Sequence, residues 1–312
     1  MTRVVDRAFA AGVAALALLV PITLAVITLL IVIDARQSLT TFGSSYFTTT
    51  VWDPVTLVFG AAAYVYGTLV TTAIAVIVAV PIAVGAAIYL TEFAPRVLRA
   101  PVAFVIELLA YIPSIVYGLW GLFVLVPIMR NQVEPALQSM FSGVPLLSRL
   151  FSGTPVGLDL LTGGVILAIM ILPILLAVSR EVLLAVPPTQ REAMIGLGAT
   201  HWEAVSRAVL PYARPGIIGA AVLGVARAFG ETMAVTLVVG NSSREINGSL
   251  LVPGYTMASA IANQFTEADS ELYFSAIVEI ALALLLVALA INTLARLLIR
   301  RAVADRPAGV VI

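Results

Sequence analysis

The chain lacks cysteine and lysine and contains one histidine, His201. Without cysteine it can form no disulfide and offers no thiol nucleophile or cysteine metal ligand. Without lysine it cannot contain the G-x-x-x-x-G-K-[ST] loop that binds nucleotide phosphates. One histidine leaves little for metal binding or imidazole catalysis. We therefore expect no catalytic residues and no metal site, and a membrane enzyme is the least favoured class.

Charged residues are also scarce. They make up 11% of the 312 residues, whereas 61% are hydrophobic. Soluble domains carry roughly 25% charged residues, so this much apolar surface cannot be hidden in a water-soluble core. Long apolar runs separated by turn-rich loops favour helices over a β-barrel. The composition predicts an all-α integral membrane protein.

Six apolar segments are long enough to cross a bilayer, which takes about 20 residues. They are 8–33, 64–90, 101–129, 161–185, 215–240 and 273–299. The first follows two arginines, as in a signal peptide. Its apolar run is too long for one and no clear cleavage site follows, so we interpret it as a retained helix.

The arginines are distributed unequally between the two sides of these segments. If the N-terminus is cytoplasmic, Arg227 lies within the membrane and 12 arginines lie inside. The four that lie outside are Arg36, Arg130, Arg149 and Arg244. Because arginine accumulates in cytoplasmic loops, this asymmetry predicts six transmembrane helices with both termini cytoplasmic.

The segment between the fourth and fifth spans is longer than a simple connection requires. It reads VPPTQREAMIGLGATHWEAVSRAVLPYARPG, residues 186–216. The pattern predicts two short helices joined by a turn at Gly196 and Gly198, the second helix covering about 201–210. Pro211 and Pro215 are expected to end that helix before the fifth span.

This loop resembles that of permease subunits in ATP-binding-cassette (ABC) importers, which reads E-A-A, three residues, G, nine residues, I-x-L-P. The matching residues are Glu192, Ala193, Gly198, Leu210 and Pro211. Met194 and Ala208 depart from the pattern by mild apolar changes. The resemblance implies that the loop, with His201 in its short helix, inserts into a groove of the ATPase. The structural alternative is an ordinary pair of interfacial helices.

Two further stretches resemble the PstC-type permeases of phosphate importers: IELLAYIPSIVYGLWGLFVLVP (106–127) and GVARAFGETMAVTLVVGN (224–241). The resemblance implies a type I ABC importer permease in the bacterial cytoplasmic membrane. Its partners would be a homologous PstA-type permease, two copies of a cytoplasmic ATPase, an extracytoplasmic phosphate-binding protein and the lipid bilayer. ATP and magnesium would bind the ATPase, with no cofactor in this chain and no nucleic acid. Sulfate or molybdate is the alternative substrate.

The same resemblance suggests three parts. Residues 1–63 would form an N-terminal transmembrane helix and an extracytoplasmic loop. Residues 64–300 would form the type-1 permease core with the coupling loop 186–216. Residues 301–312 would be a short cytoplasmic tail.

Arg227 and Glu231 are the only charges in the apolar run 215–240. On a helical wheel they share one face with Ala220, Gly224 and Ala228. Four residues apart, they can pair along the helix as a buried salt bridge. Alternatively, the guanidinium holds an anion, and the glutamate competes for it. Either way, a charge here must face protein or water rather than lipid.

A second polar stripe is predicted on span three, where Pro113 would introduce a kink. Its members are Glu107, Tyr111, Ser114, Gly118 and Gly121. Glu107 is interpreted either as a pathway residue or as a buried acid hydrogen-bonded to another helix. A proton-coupled secondary transporter could use Glu107 and Glu231 as relay acids, but it has no evident need for the loop 186–216. Glu279 in span six is expected to be solvated near the outer surface.

Overall fold

The computed structural model describes residues 2–242 and 246–304. The helices of this part are α1 Thr2–Asp34, α2 Arg36–Phe42, α3 Ala62–Ile88, α4 Arg96–Ala110, α5 Ser114–Trp120, α6 Val126–Ile128, α7 Glu134–Phe141, α8 Pro145–Leu150, α9 Leu160–Leu184, α10 Pro188–Gly196, α11 His201–Ala204, α12 Leu210–Phe229, α13 Met233–Thr236, α14 Met257–Gln264 and α15 Glu271–Ala304. A 3₁₀ turn covers Gly43–Phe47, and the strands β1 Trp52–Asp53 and β2 Val58–Phe59 form a small antiparallel hairpin. The predicted all-α class is confirmed. Arg244 and positions 305–312 of the predicted tail lie outside the described residues.

Six helices of the described chain are long and apolar enough to cross a membrane, as predicted. They cover Phe9–Asp34, Ala62–Phe93, Ser114–Phe141, Leu160–Leu184, His201–Phe229 and Glu271–Leu297. The first, second, fourth and sixth agree with the predicted bounds to within three residues. The third and fifth are shifted along the chain, and each shift has a local cause.

Proline displaces the third span. α4 ends at Ala110, and Pro113 adopts an extended conformation (φ −56°, ψ 138°) immediately before α5. Proline disfavours a helical conformation in the residue before it, so the helix stops and starts again. The predicted span 101–129 is therefore wrong. The apolar run continues across the break, so hydropathy alone does not show where the helix stops.

The fifth span shows how the chain carries proline through a long helix. Four π-helical turns occur in the described chain, at Tyr89–Phe93, Gly121–Leu125, Met129–Val133 and Val205–Val209. Each is followed, at the second position, by a proline: Pro95, Pro127, Pro135 and Pro211. The residue before each proline donates its N–H to the carbonyl five residues back.

This wider turn relieves the clash between a proline ring and the carbonyl four residues back. The prediction that Pro211 and Pro215 end a helix before the fifth span is therefore wrong. The helix instead runs continuously from His201 through Leu210 to Phe229. The short helix of the loop and the membrane span are thus one continuous helix.

Small residues let the central helices approach closely. Along α3, the residues Ala75, Ala79, Ala83 and Ala87 are fully buried at four-residue spacing. A Cβ on Gly164 of α9 would lie 2.5 Å from Ile74 of α3, and one on Gly224 of α12 would lie 2.7 Å from Leu175 of α9. Small residues at such contacts are the usual means of packing helices in membranes. α3, α9 and α12 form the centre of the chain.

The N-terminal region is attached to the last helix. The Ser38 N–H donates to Ser275 Oγ (3.0 Å), and the Tyr46 hydroxyl donates to the Ala276 carbonyl (2.6 Å). The apolar window of α1 itself is not buried by the rest of the chain. Its surface is left for lipid or another subunit to cover.

Candidate substrate pathway and coupling loop

The fifth span breaks where its two charges lie. α12 ends at Phe229, Gly230 has φ −90° and ψ 0°, and α13 starts at Met233. Glu231 lies in this break, where its Oε1 accepts the Ala234 N–H at 3.3 Å. The predicted single helix over 215–240 is wrong beyond residue 229. Arg227 lies in the last turn of α12, whereas Glu231 lies outside both helices.

Arg227 and Glu231 have different surroundings. Glu231 is buried, whereas Arg227 is exposed in this chain. The ion pairs of the described residues include neither of them, so the predicted salt bridge is not formed in this conformation. Ala220, Gly224 and Ala228 are buried, as expected for the small face of the helix. Arg227 lies at the edge of that face, and its side chain is exposed.

The predicted stripe on span three is divided by the break at Pro113. Gly118 and Gly121 of the stripe are buried, and a Cβ on Gly118 would lie 2.9 Å from Ala234 Cα. This half of the stripe packs beside the segment that follows Glu231. Glu107 lies on α4, before the break, and is exposed. The interpretation of Glu107 as a buried carboxylic acid is therefore wrong.

Glu279 differs from its expectation as well. It is fully buried in α15, where the N-terminal segment that contains Ser38 and Tyr46 lies close to its carboxyl group. Solvation near the outer surface is therefore wrong. Glu279 is buried because the N-terminal segment covers it, and a position near the start of the helix does not reveal that contact.

The loop contains the predicted glycine turn. α10 ends at Gly196, and Gly198 has φ +87°, a conformation that L side chains rarely adopt. The Gly198 N–H donates to the Ile195 carbonyl, and the Ala199 N–H donates to that of Met194. These bonds satisfy carbonyls at the helix end in the way typical of a glycine C-cap.

A capping box then starts the next helix. The Thr200 hydroxyl accepts the Glu203 N–H, and the Glu203 carboxylate accepts the Thr200 N–H.

The loop presents apolar side chains outward: Leu197 is 85% exposed and Trp202 is 57% exposed. The loop residues predicted from the family pattern are exposed, except for half-buried Leu210: Glu192, Ala193, Gly198, His201 and Pro211. Exposed apolar groups rimmed by polar ones are typical of a protein contact surface.

Sequence reasoning missed the ion pair beneath this loop. Arg191 of α10 donates from Nε and Nη2 to the Glu92 carboxylate, with the shortest distance 2.6 Å. It also donates to the carbonyls of Leu183 (3.1 Å) and Val186 (2.9 Å). His201 Nε2 lies 3.9 Å from Glu92 Oε2. Only the position of Arg191 beside the E-A-A pattern hinted at this contact.

Two buried acids meet between α7 and the start of α9. Glu134 accepts the Gly157 N–H (3.3 Å), and Asp159 caps α9 by accepting the Thr162 N–H (2.8 Å). The two side chains are both fully buried and close enough to interact electrostatically. Burial raises the pKa of Asp159 above its ordinary range.

This pair predicts a pH-dependent stability. Because the pKa of Asp159 is raised in the folded chain, its contribution to folding stability is complete in acid. That contribution is lost as the pH rises through the raised pKa, since two buried carboxylates then repel each other. We expect the melting temperature to fall toward alkaline pH, and Asp159→Asn to reduce that fall by at least about 2 °C. Thermal unfolding in detergent across pH measures it. Asp53→Asn is the control, because Asp53 lies outside this pair and hydrogen bonds from Thr56 and Val55 lower its pKa. Equal pH profiles for Asp159→Asn and the unmodified chain would contradict the prediction.

Six spans, one of them continuous with the short helix of the loop 186–216, are typical of a multi-pass permease of a transport system. Residues 79–304 match the family of binding-protein-dependent transport system inner membrane components. The chain belongs to this family, and specifically to its PstC-type phosphate permeases, because two curated members closely resemble it over nearly their whole length.

The chain is 46% identical over 296 residues to the phosphate transport system permease protein PstC of Mesorhizobium japonicum, covering 95% of this chain and 90% of that protein. It is 44% identical over 297 residues to that of Haemophilus influenzae, covering 95% and 94%. A solved chain of the inward-facing MetNI methionine ABC transporter is similar in fold, with a TM-score of 0.58 and 18% identity over 81% of this chain and 99% of that one. The fold of the chain is thus that of an inner-membrane ABC importer permease.

Proposed function

We propose that this chain is the transmembrane permease subunit of an ABC importer that moves inorganic phosphate into the cell. The similarity to PstC permeases over 95% of the chain is the observation that carries the proposal. A separate subunit hydrolyses the ATP, since this chain has no lysine with which to build the nucleotide-binding loop. Sulfate or molybdate is the second candidate substrate.

The partners follow from the same proposal. The permease pairs with a PstA-type permease, two copies of a cytoplasmic ATPase and an extracytoplasmic phosphate-binding protein. Both termini lie in the cytoplasm, which is supported by the arginine asymmetry and by the even number of spans. The loop 186–216 then faces the ATPase, and its exposed Leu197 and Trp202 supply the apolar contact.

The anion pathway passes the break in the fifth span. Irregular backbone at membrane depth is tolerated only where protein buries it or it lines a water-filled cavity. The break after Phe229 therefore marks where polar backbone and Arg227 meet the translocated ion. A guanidinium matches phosphate oxygens with a planar fork and remains charged at every physiological pH. Arg227 is the residue to which we assign phosphate contact.

Glu231 and Glu107 are assigned supporting roles in that pathway. In this conformation the Glu231 carboxylate accepts the Ala234 N–H at the start of α13. It does not form an ion pair with Arg227. In another conformation it can compete with phosphate for the guanidinium and so aid release. Glu107 is a carboxylate exposed on an otherwise apolar part of α4, a place where lipid would not solvate it.

Transport by the purified complex tests the function. We expect proteoliposomes containing the four kinds of subunit to accumulate phosphate only when ATP and magnesium are present on the ATPase side. Excess sulfate or molybdate should not compete. Uptake driven by a pH gradient without ATP would instead indicate a proton-coupled transporter, and competition by sulfate or molybdate would indicate another oxyanion.

Glutamine at position 231 separates the charge of Glu231 from its capping role. Glu231→Gln keeps an oxygen that can accept the Ala234 N–H, so we expect normal assembly. Phosphate uptake should fall by about tenfold or more, because Arg227 loses its competitor and releases the anion slowly. The measurement is the uptake rate together with phosphate retention. The exchanged pair Arg227→Glu/Glu231→Arg should not restore uptake, and normal transport by Glu231→Gln would disprove the competitor role.

A further inference from the structure

The ion pair beneath the coupling loop joins three separate parts of the chain. Glu92 lies in the π turn that continues α3, and its side chain is only 4% exposed. Arg191 lies on α10, in the loop itself. The carbonyls of Leu183 and Val186, which Arg191 also contacts, lie at the end of α9. One guanidinium therefore connects the second span, the fourth span and the loop.

All three guanidinium nitrogens of Arg191 donate hydrogen bonds. Nε and Nη2 engage the carboxylate as a fork, while Nη1 and Nη2 reach carbonyls at the C-terminal end of α9. Carbonyls in the last turn of a helix lack their usual partner four residues further on, and a cation is favourable there. Lysine has no such planar fork and could not hold the same arrangement.

α11 contacts the same carboxylate. His201 Nε2 is 3.9 Å from Glu92 Oε2, and its ring packs edge-on against Phe93, with centroids 5.0 Å apart. α11 continues through the π turn into α12, so its displacement moves the span that carries Arg227. Glu92 thus lies where the loop, the second and fourth spans, and the continuous helix of the fifth span meet.

We infer that Glu92 and Arg191 are positioning residues that transmit movement of the ATPase-facing loop to the second and fourth spans. This inference rests on the proposed function, because the loop must receive force from an ATPase. The pair binds neither nucleotide nor anion. Without it, the loop can still dock on the ATPase, but its displacement is absorbed locally and does not move α3 and α9.

The test measures phosphate transported per ATP hydrolysed by the reconstituted complex. Glu92→Gln should lower this ratio by about tenfold, within the usual range of coupling between sites, while basal ATP hydrolysis persists. Arg191→Lys should retain part of the coupling. The exchanged pair Glu92→Arg/Arg191→Glu should not restore it, because a glutamate cannot donate to Leu183 and Val186. Full recovery of the transport ratio in the exchanged pair would overturn the inference.

A matched control uses the other close ion pair at this end of α9. Arg180 Nη1 lies 2.7 Å from Glu181 Oε1, but both residues belong to one helix and connect nothing else. Glu181→Gln should leave the transport ratio unchanged. A drop equal to that of Glu92→Gln would show a general effect of charge and overturn the inference.

Cross-linking separates positioning from mere stability. The chain has no cysteine, so Glu92→Cys/Arg191→Cys adds its only two thiols. We expect this variant to be uncoupled when reduced and to regain coupling when a short thiol cross-linker joins the two sites. Continued uncoupling after verified cross-linking would overturn the inference. If the unmodified complex itself fails to carry phosphate, the proposed function fails instead, and the two failures are thereby distinguished.

Discussion

Arg227→Gln is expected to abolish phosphate uptake while the subunit accumulates in the membrane and assembles normally. Arg227 is exposed and is not among the ion pairs of the described chain, so its charge does not hold the fold together. The loss of two charge-assisted hydrogen bonds, about 1.5–3 kcal/mol each, predicts a fall in uptake of more than about 100-fold.

Two variants sharpen the experiment. Arg227→Lys keeps the charge but loses the fork, so we expect a small residual uptake. Arg296→Gln is the matched control, because Arg296 is another exposed arginine, lies on α15 away from the loop 186–216, and should be dispensable for transport. The measurements are ATP-driven phosphate uptake and subunit content of the purified complex. Failure of Arg227→Gln to accumulate in the membrane would mean that the arginine serves the fold.

Gly198→Val is expected to uncouple the importer without preventing its assembly. Gly198 has φ +87°, which costs an L residue about 1–2 kcal/mol and a β-branched one more. A Cβ there would meet no atom within 4 Å, so the cost is conformational and not steric. The turn must therefore reshape and displace α11. Stimulation of ATP hydrolysis by the phosphate-loaded binding protein should fall by about tenfold or more.

Gly196 supplies the control for this prediction. It is also exposed, a Cβ on it would likewise meet no atom within 4 Å, and it lacks the positive φ. Gly196→Ala, at the last residue of α10, should leave stimulation intact, whereas Gly198→Val and Gly198→Asp should lose it. Unchanged stimulation in both Gly198 variants would show that this loop does not carry the signal and would weaken the importer proposal.

The site was only partly predictable. The pattern of the loop identified Gly198 before its positive φ was known, because a glycine between two helices indicates a left-handed turn. The wheel over 215–240 placed Ala220 and Gly224 correctly on a buried face. The wheel placed Glu231 on that face too, and Glu231 is buried, but the wheel assumes an unbroken helix and so did not predict the break at Gly230. The same assumption failed for the stripe on span three at Pro113.

The membrane class, the number of spans and the exposed coupling loop could be predicted from the order of residues, because hydropathy and local spacing are properties of neighbouring residues. Packing between distant segments decided which acids were buried, because it depends on residues that are far apart in the sequence. Glu92 and Arg191 are 99 residues apart, and nothing local to either one specifies the other. Their contact exists because close packing of α3 against α9 through alanine and glycine brings the two helix ends together.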